Sequence, residues 1–442
     1  MGAGDSSGGD SRMSHVLLIS PNSPFLVDSR TFPPLGLLYL GAALEANGHK
    51  ATVVDLAFNS PLEGHNPDLI GIMCLTPHFP QMPMLLQQLR LLYPSIPVAV
   101  GGPHFSTVPA DGARLGADAT CVGDGEDAIL RIVAGERGIV QSPGGILDVD
   151  RYPIPARHLL PIHDYRYQIA GLAATTMLTQ RGCSFACTFC CHWEGYRKVR
   201  MRALDNIVQE VRHLKTLGFS AVMLYDDEVD LNHRRTLELC EALKPEQIKW
   251  RAFIKSNCFN EEQARAMAES GCWELCTGVE SGSDAILKTI QKKSTVADNT
   301  RARELCRQYG IRFKAFTMVG HPGETRETAL ATRDWLIANS PDEFNLSLYT
   351  PYLGTPVFAT PEKFDLQFDK LDYSQSEYFY RGKPGEYQSH ARTSALSGEE
   401  LARLRDEIED EVREKLGLPK QGSSLAWNTQ ARPHDFCSTE IG

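Results

Sequence analysis

The chain has 442 residues, 42 % of them apolar and 23 % charged, and its 45 basic against 55 acidic side chains leave a net charge of −10. At roughly 150 residues per domain, that length predicts two or three domains. The acidic balance opposes a polyanionic partner and argues against a nucleic-acid substrate, and no apolar run approaches the roughly 18 residues of a membrane span. Twelve cysteines are too sparse for a disulfide scaffold, and three of them crowd between Cys183 and Cys190, as metal ligands do in a reducing cytoplasm.

Residues 1–12 are rich in glycine, serine and aspartate and read as a disordered tail. From His15 the pattern is strand, crossover, strand: HVLLIS, a helical LGLLYLGAALEANG, then ATVVDL, LIGIMCL, VAVGG and ATCVG. Short apolar runs alternating with helices predict a doubly wound parallel sheet of about five strands, placed in a domain over 13–145. Its strand ends carry the glycine-rich loops Gly101-Gly102-Pro103-His104 and Gly123-Asp124-Gly125-Glu126. Between Asp55 and Asp68 lie only twelve residues, so the crossover helix there is expected to be reduced.

A proline-rich linker fills 146–172. Over 173–358, ATTMLT, AVMLYDD, KWRAFIK, WELCTGVE, RFKAFTMVG and EFNLSLY read as six parallel strands with helices between them. That pattern predicts an α/β partial (β/α)6 barrel with its chemistry at the C-terminal strand ends. Residues 359–420 form a loop and helix region, whose GEELARLRDEIEDEVREKLG, stopped by Gly417, reads as a solvated cover. Residues 421–442 read as a flexible tail in which Cys437 has no ligand partner nearby.

The informative stretch follows the first barrel strand: Thr179-Gln180-Arg181-Gly182-Cys183-Ser184-Phe185-Ala186-Cys187-Thr188-Phe189-Cys190. Cysteines spaced C-x3-C-x2-C on one loop let three thiolates converge on one metal centre and leave a coordination position open. A zinc site would need a fourth protein ligand, which Cys191 or His192 could supply. Cys258, Cys272 and Cys276 fall on or beside strands and read as core residues. The second strand ends Tyr225-Asp226-Asp227-Glu228-Val229-Asp230. Carboxylates clustered at the active face can act as acid and base or bind a cation, whereas the structural alternative is an acid-rich helix start.

With GVESGSD at Gly278 to Asp284, VGHPGET at Val319 to Thr325 and YTPYLGTP at Tyr349 to Pro356, the triplet resembles the radical S-adenosylmethionine superfamily. The N-terminal PPLGLLYLGAALEANGH, VAVGGPH and VGDGED resemble the cobalamin-binding domain that one branch carries ahead of the barrel. The resemblance implies that Cys183, Cys187 and Cys190 hold one four-iron cluster and that S-adenosylmethionine is cleaved by one electron from a flavodoxin-like donor. It also implies Phe189 against the adenine, Glu280 and Ser281 toward the ribose or amino acid moiety, and the Gly320 to Gly323 turn, with His321, beside the adenine. Lys255 or Arg251 is the expected cation for the carboxylate. His321 stands where the branch commonly has an apolar residue. No cysteine lies between Cys306 and Cys437, so a single cluster is expected.

The segment LAFNSPLEGHNP has a misplaced His65 and is short, so cobalamin is possible but not favoured, and the first domain is expected to shape the substrate site. On that basis the chain resembles the radical diol dehydratases of aminoglycoside biosynthesis. That likeness implies dehydration at C3′ of paromamine, a cationic sugar. Asp226, Asp227, Glu228 and His321 would share the proton work, and an NADPH-dependent partner reductase would take the product. Cobalamin-dependent methylation of a natural product is the alternative, and tRNA modification a further one.

Overall fold

The computed structural model describes residues 13–23, 26, 28–141, 148–191, 194–368 and 387–419. The expected tails at 1–12 and 421–442, Cys437 and His192 lie outside the described residues.

Strand β1 (His15–Ser20) sets the frame of the first domain. Val16 and Leu18 face a core shared with Leu37, Leu44 and Ile129, while Leu17 and Ile19 face Ile70, Leu85 and Leu89. This two-residue alternation, apolar on both sides, is that of a central strand covered by helices. The chain continues through α1 (Leu35–Ala46), β2 (Lys50–Asp55), β3 (Leu69–Met73), α2 (Met82–Leu92), β4 (Val98–Gly101) and α3 (Pro103–Thr107). Helix α4 (Ala110–Arg114), β5 (Ala119–Val122), α5 (Gly125–Val133) and β6 (Gly138–Gln141) complete it. All six strands run parallel in the order β2-β1-β3-β4-β5-β6. The sixth, GIVQ, buries only Val140, so it carries no apolar run by which a sequence could announce it.

The Asp55 to Asp68 link holds one 3-10 turn, Leu56–Phe58, and no α-helix. Because β1 lies between β2 and β3, this shortened link crosses over β1 from the edge strand inward. The strand order reverses between β1 and β3, and it is there that such sheets open a crevice for ligands.

The second domain begins with β7 (Gln168–Ile169), antiparallel to β8 (Leu172–Met177). A ribbon of β9 (Gln180–Arg181) and β10 (Arg200–Met201) brackets the cysteine loop. Then α6 (Leu204–Thr216), β11 (Ala221–Leu224), α7 (His233–Leu243), β12 (Lys249–Ile254), α8 (Glu261–Glu269) and β13 (Cys272–Glu280) alternate. They are followed by α9 (Asp284–Thr289), α10 (Val296–Gln308), β14 (Arg312–Val319), α11 (Arg326–Asn339) and β15 (Glu343–Leu348). The order β15-β14-β13-β12-β11-β8-β7 contains the six parallel strands of the expected partial barrel. After α12 (Pro356–Ala359), a small ribbon of β16 (Gln367–Phe368) and β17 (Ala391–Arg392) leads to α13 (Gly398–Leu416).

Helix α13 starts on a capping box, Ser397 with Glu400, and ends on Gly417 at φ 64°. It is solvated on one side only. Leu401, Leu404, Ile408 and Val412 are buried at helical spacing, and Arg405 donates to the Leu346 carbonyl at 3.0 Å, so the helix closes the barrel beside edge strand β15. Among the described residues, no helix is long and apolar enough to cross a membrane.

The linker is pinned to the barrel by a buried ion triad. Arg157 Nη2 donates to the Thr176 carbonyl at 2.8 Å and to Glu210 Oε1 at 2.7 Å, and Arg202 Nη1 reaches Glu210 Oε2 at 2.6 Å. Removing one member of a buried ion group strands the others without solvent, at about 3–5 kcal/mol. Glu210→Ala is therefore expected to lower the stability of the protein by that amount, read as a fall in its urea midpoint, whereas Glu241→Ala, at an exposed position, should leave the midpoint unchanged.

Candidate active site

The loop after β8 is built around one glycine. Gly182 has φ +98°, and a Cβ there would lie 2.5 Å from the Tyr196 carbonyl and 2.6 Å from the Lys198 carbonyl, so the close approach of the two segments excludes any side chain. The Cys183 N–H donates to the Tyr196 carbonyl at 3.1 Å, the Cys190 N–H to the Cys187 carbonyl at 3.1 Å, and the Thr188 N–H to the Ile290 carbonyl at 3.0 Å. These bonds fold the cysteine segment back over the C-terminal strand ends. Cys183 is buried, while Cys187 and Cys190 are half-buried. Burial pushes the Cys183 thiol up to about 11, helped by Glu228, Asp227 and Cys187; burial and then Cys187 push Cys190 up as well. The three sulfurs thus share one electrostatic neighbourhood, although among the described residues no three Cys, His, Asp or Glu groups close to metal-ligating distance. Cys191 leaves this group: its sulfur lies 3.1 Å from Thr107 Oγ1 of the first domain.

Two lysines face the thiols. Lys255 lies 4.3 Å above the Phe185 ring and donates to the Lys292 carbonyl at 2.7 Å, and Lys292 pairs with Glu280 Oε1 at 2.8 Å while lying 6.0 Å from the Phe189 ring centroid. Both cations interact with Cys187. Lys292 escaped the sequence reading because it sits beyond a short helix, in the plain surface-like run Gln291-Lys292-Lys293. Its proximity to the GVESGSD segment was the available signal. Glu280 is held at φ +62° by the register shift between Gly278 and Glu280, a strained backbone of the kind that persists at functional sites. Arg251, the other candidate cation, faces away, 3.0 Å from Glu274 and 3.2 Å from the Tyr167 hydroxyl.

The carboxylate cluster divides into separate duties. Asp226 accepts from the Thr179 N–H at 2.7 Å, from the Gln180 N–H at 3.1 Å and from the Thr179 hydroxyl, so it braces the cysteine loop. Burial nevertheless holds its carboxyl up at about 6. Asp227 takes the Tyr196 phenol. Asp230, unassigned by the sequence, accepts from the Lys255 N–H at 2.9 Å, which makes it a positioning group. Glu228 keeps one oxygen buried without a hydrogen-bond partner, and burial, opposed by Lys292 and Lys255, raises it to about 7. Ser281 is fully buried against Thr332 Oγ1 at 3.3 Å and shapes the strand end. Gly320 and His321 donate their N–H groups to Glu324 Oε2 at 2.5 and 3.1 Å. The His321 ring lies 6.0 Å from Phe189 and 5.7 Å from Tyr349, and burial drives its pKa down to about 4, so it is neutral near pH 7.

A cavity of about 870 Å³ lies between the two domains. One wall comes from the strand ends of the first sheet, at Ser20, Thr76, Gly102 and Gly123 to Glu126; the other holds Arg181, Tyr196, Tyr225, Asp227 and Phe253. The cavity also penetrates the first domain as an apolar slot past Gly71 and Ala99, beside Leu37, Leu40, Ile129 and Ile132. Asp55 at the end of β2 and Ala57 in the 3-10 turn after it also line the cavity. The shortened link thus starts at the crevice and leaves it open as a large cavity, whereas cobalamin was disfavoured on the expectation of a truncated face. Arg181 spans the seam, 3.2 Å from Asp124 and 2.5 Å from Glu126, with its guanidinium 4.8 Å from the Tyr39 ring; Arg200 also pairs with Asp124.

Residues 177–336 match the Radical SAM superfamily model, and residues 28–133 match the B12 binding domain model. The chain is 28 % identical over 376 residues to an uncharacterized methyltransferase of Pyrococcus horikoshii, covering 77 % of this chain and 81 % of that one. It is 25 % identical to the anaerobic magnesium-protoporphyrin IX monomethyl ester cyclase of Cereibacter sphaeroides, covering 79 % of this chain and 63 % of that one. Its fold matches the radical S-adenosylmethionine methyltransferase TsrM of Kitasatospora setae, solved with cobalamin and a [4Fe-4S] cluster, at a TM-score of 0.67 and 18 % identity, over 91 % of this chain and 99 % of that one. By these matches the chain carries a radical SAM domain over residues 177–336 with a B12 binding domain ahead of it over residues 28–133.

Proposed function

We propose that this chain is a cobalamin-dependent radical SAM enzyme that transfers a methyl group to carbon in a small, largely apolar molecule. The observation that carries the reading is the single cavity that joins the ligand crevice of the first sheet to the mouth of the barrel. Its broad space and apolar slot suit a corrin with its nucleotide tail, and its volume is that of a large cofactor site. The methyltransferase name of the Pyrococcus horikoshii relative supports the same reaction, while the cyclase of Cereibacter sphaeroides belongs to a different reaction class.

When bound, the cluster and S-adenosylmethionine supply one-electron removal of hydrogen from carbon, and cobalamin supplies a transferable methyl group. Cys183, Cys187 and Cys190 would hold the cluster. Lys255 and Lys292 offset the negative charge of the thiolates in a site that burial makes electrostatically unforgiving. Glu228, at about 7, holds its proton over part of the neutral range and can pass it toward the cavity side, where Asp227 and Tyr196 already share one.

Methyl transfer is better supported than aminosugar dehydration, because the relatives named for their reaction include a methyltransferase and aromatic rings line the cavity wall. Four of the acids at the strand ends are already engaged, Asp226 by Thr179, Asp227 by Tyr196, Asp230 by Lys255 and Glu280 by Lys292, while Glu228 keeps one buried oxygen without a hydrogen-bond partner. What the cavity presents instead is Phe32, Tyr225 and Phe253, with the Phe32 and Tyr225 rings 6.0 Å apart, a wall suited to an apolar or aromatic acceptor.

Replacing Cys183, Cys187 and Cys190 together by alanine should abolish the iron–sulfur absorbance and the reductive cleavage of S-adenosylmethionine; a retained cluster would refute the ligand assignment. Anaerobically purified protein should retain one cobalamin per chain, raising its melting temperature. Incubation with S-adenosylmethionine carrying a deuterated methyl group should place that label on the cobalamin, and bound cobalamin that never takes the label would overturn methyl transfer. Arg181→Gln leaves Glu126 buried without its cation, while Asp124 keeps Arg200, so cobalamin should bind about tenfold more weakly in a dialysis assay.

A further inference from the structure

We infer that the methyl acceptor is a carboxylic acid whose carboxylate is bound by Lys314 at the floor of the barrel, with its apolar body lying upward toward the cysteine loop. The inference rests on the methyl-transfer reading and deepens it, by naming the polar group that an otherwise apolar acceptor carries.

On its β14 and β15 side the inner face of the barrel is an open trough. On β15, Glu343, Asn345 and Ser347 are half-buried, while the alternate residues Phe344, Leu346 and Leu348 are buried in the core under the helices. The same division holds on β14, where Phe316 and Met318 are half-buried and Phe313, Ala315 and Val319 lie in the core. A closed barrel fills its inside with packed side chains, so an inner face more open than the outer one leaves room for a ligand. Phe253 joins the trough to the cavity between the domains: it lines that cavity, and its ring lies 5.8 Å from that of Phe316. At the upper end Met318 packs against the same apolar cluster as Phe189, the residue before Cys190.

Lys314 closes the lower end. It is only 3 % exposed, and among the described residues its ammonium makes no hydrogen bond and no ion pair, with Nζ 5.7 Å from the Phe316 ring centroid. Lysine is almost never buried unless it is paired, because a charge removed from water needs a partner. The groups around it do not answer that need. Glu274 is taken by Arg251 at 3.0 Å and by Arg312 at 3.5 Å, and the Cys276 sulfur accepts from Arg251 at 3.1 Å. Glu343, its register neighbour on β15, acts on it only through space. Burial, and then the like charge of Arg251, pull the lysine below its ordinary pKa, a shift that a bound anion would reverse.

The floor selects a carboxylate over a phosphate. The planar fork of an arginine suits a phosphate, but Arg251 already donates to Cys276 and to the Tyr167 hydroxyl. What is left is one ammonium with three donors, matched to a single negative charge. Four residues of strand, about 13 Å, separate Lys314 from Met318, so the acid group lies remote from the carbon that receives the methyl group. The rings of Phe253 and Phe316 flank the body between them.

The test uses cluster-loaded, cobalamin-bound protein, anaerobic and without reductant, so that nothing turns over. Calorimetric titration compares naphthylacetate, its amide and naphthyl phosphate on the wild type, Lys314→Met and Lys314→Arg. The wild type should bind the acid about tenfold more tightly than the amide, and more tightly than the phosphate. Lys314→Met should lose the preference for the acid while binding the amide as the wild type does, and Lys314→Arg, which keeps the charge, should retain most of it. Without ligand, Lys314→Met should melt no lower than the wild type, because the ammonium has no partner to lose. A wild type without preference for the acid, a preference that survives in Lys314→Met, or tighter binding of the phosphate would each overturn the inference. An acid preference that holds in protein whose cobalamin never takes the methyl label would overturn methyl transfer and leave the carboxylate site standing.

Discussion

The arrangement of the whole molecule depends on Arg181. It lies two residues before Cys183, at the end of β9, and its guanidinium is held between Asp124 and Glu126 at the start of α5 in the first domain. All three side chains are largely removed from water, so separating the domains would leave a buried cation and two buried carboxylates to be solvated afresh. The contact fixes the cysteine loop against the glycine-rich crevice, and thereby the distance over which any group bound in one domain meets a group bound in the other. A loose linker between a carrier domain and a barrel could not do this.

Around that contact the site is balanced in charge. Thiols, glutamates and aspartates gather at the strand ends, but Glu280, Asp230, Asp227 and Asp226 are answered by a lysine, a backbone N–H, a phenol and a hydroxyl in turn. An acidic surface on paper becomes a neutralised, water-poor pocket in space. Such a pocket strengthens the remaining interactions of the two lysines with the thiols and leaves the cavity wall to aromatic rings. The strain at Glu280 belongs to the same design: the shifted register after Gly278 turns the glutamate toward Lys292 where a regular strand would point it elsewhere.

The sequence by itself determined the two-domain α/β architecture, because strands covered on both faces must be written as continuous apolar runs and a crossover helix ends at a glycine. It also determined the cysteine loop, because spacing on a short segment leaves thiols few places to go, and the bare crossover after Asp55, because twelve residues leave no room for a helix. It missed β6, whose edge position needs only one buried residue, and it misjudged α13, whose charged composition hides an apolar stripe.

Tertiary structure decided the rest. Which acid braces a loop and which keeps a proton depends on partners forty or more residues away, as with Asp226 and Thr179, and no local pattern encodes that pairing. Lys292 enters the site only because a strand end, a short helix and a turn return it to the cysteines. The role of the shortened crossover was the most instructive case. Its length was legible, but that the crevice stays open beside it, with Asp55 and Ala57 on the wall, depended on how the whole sheet packs rather than on any one segment.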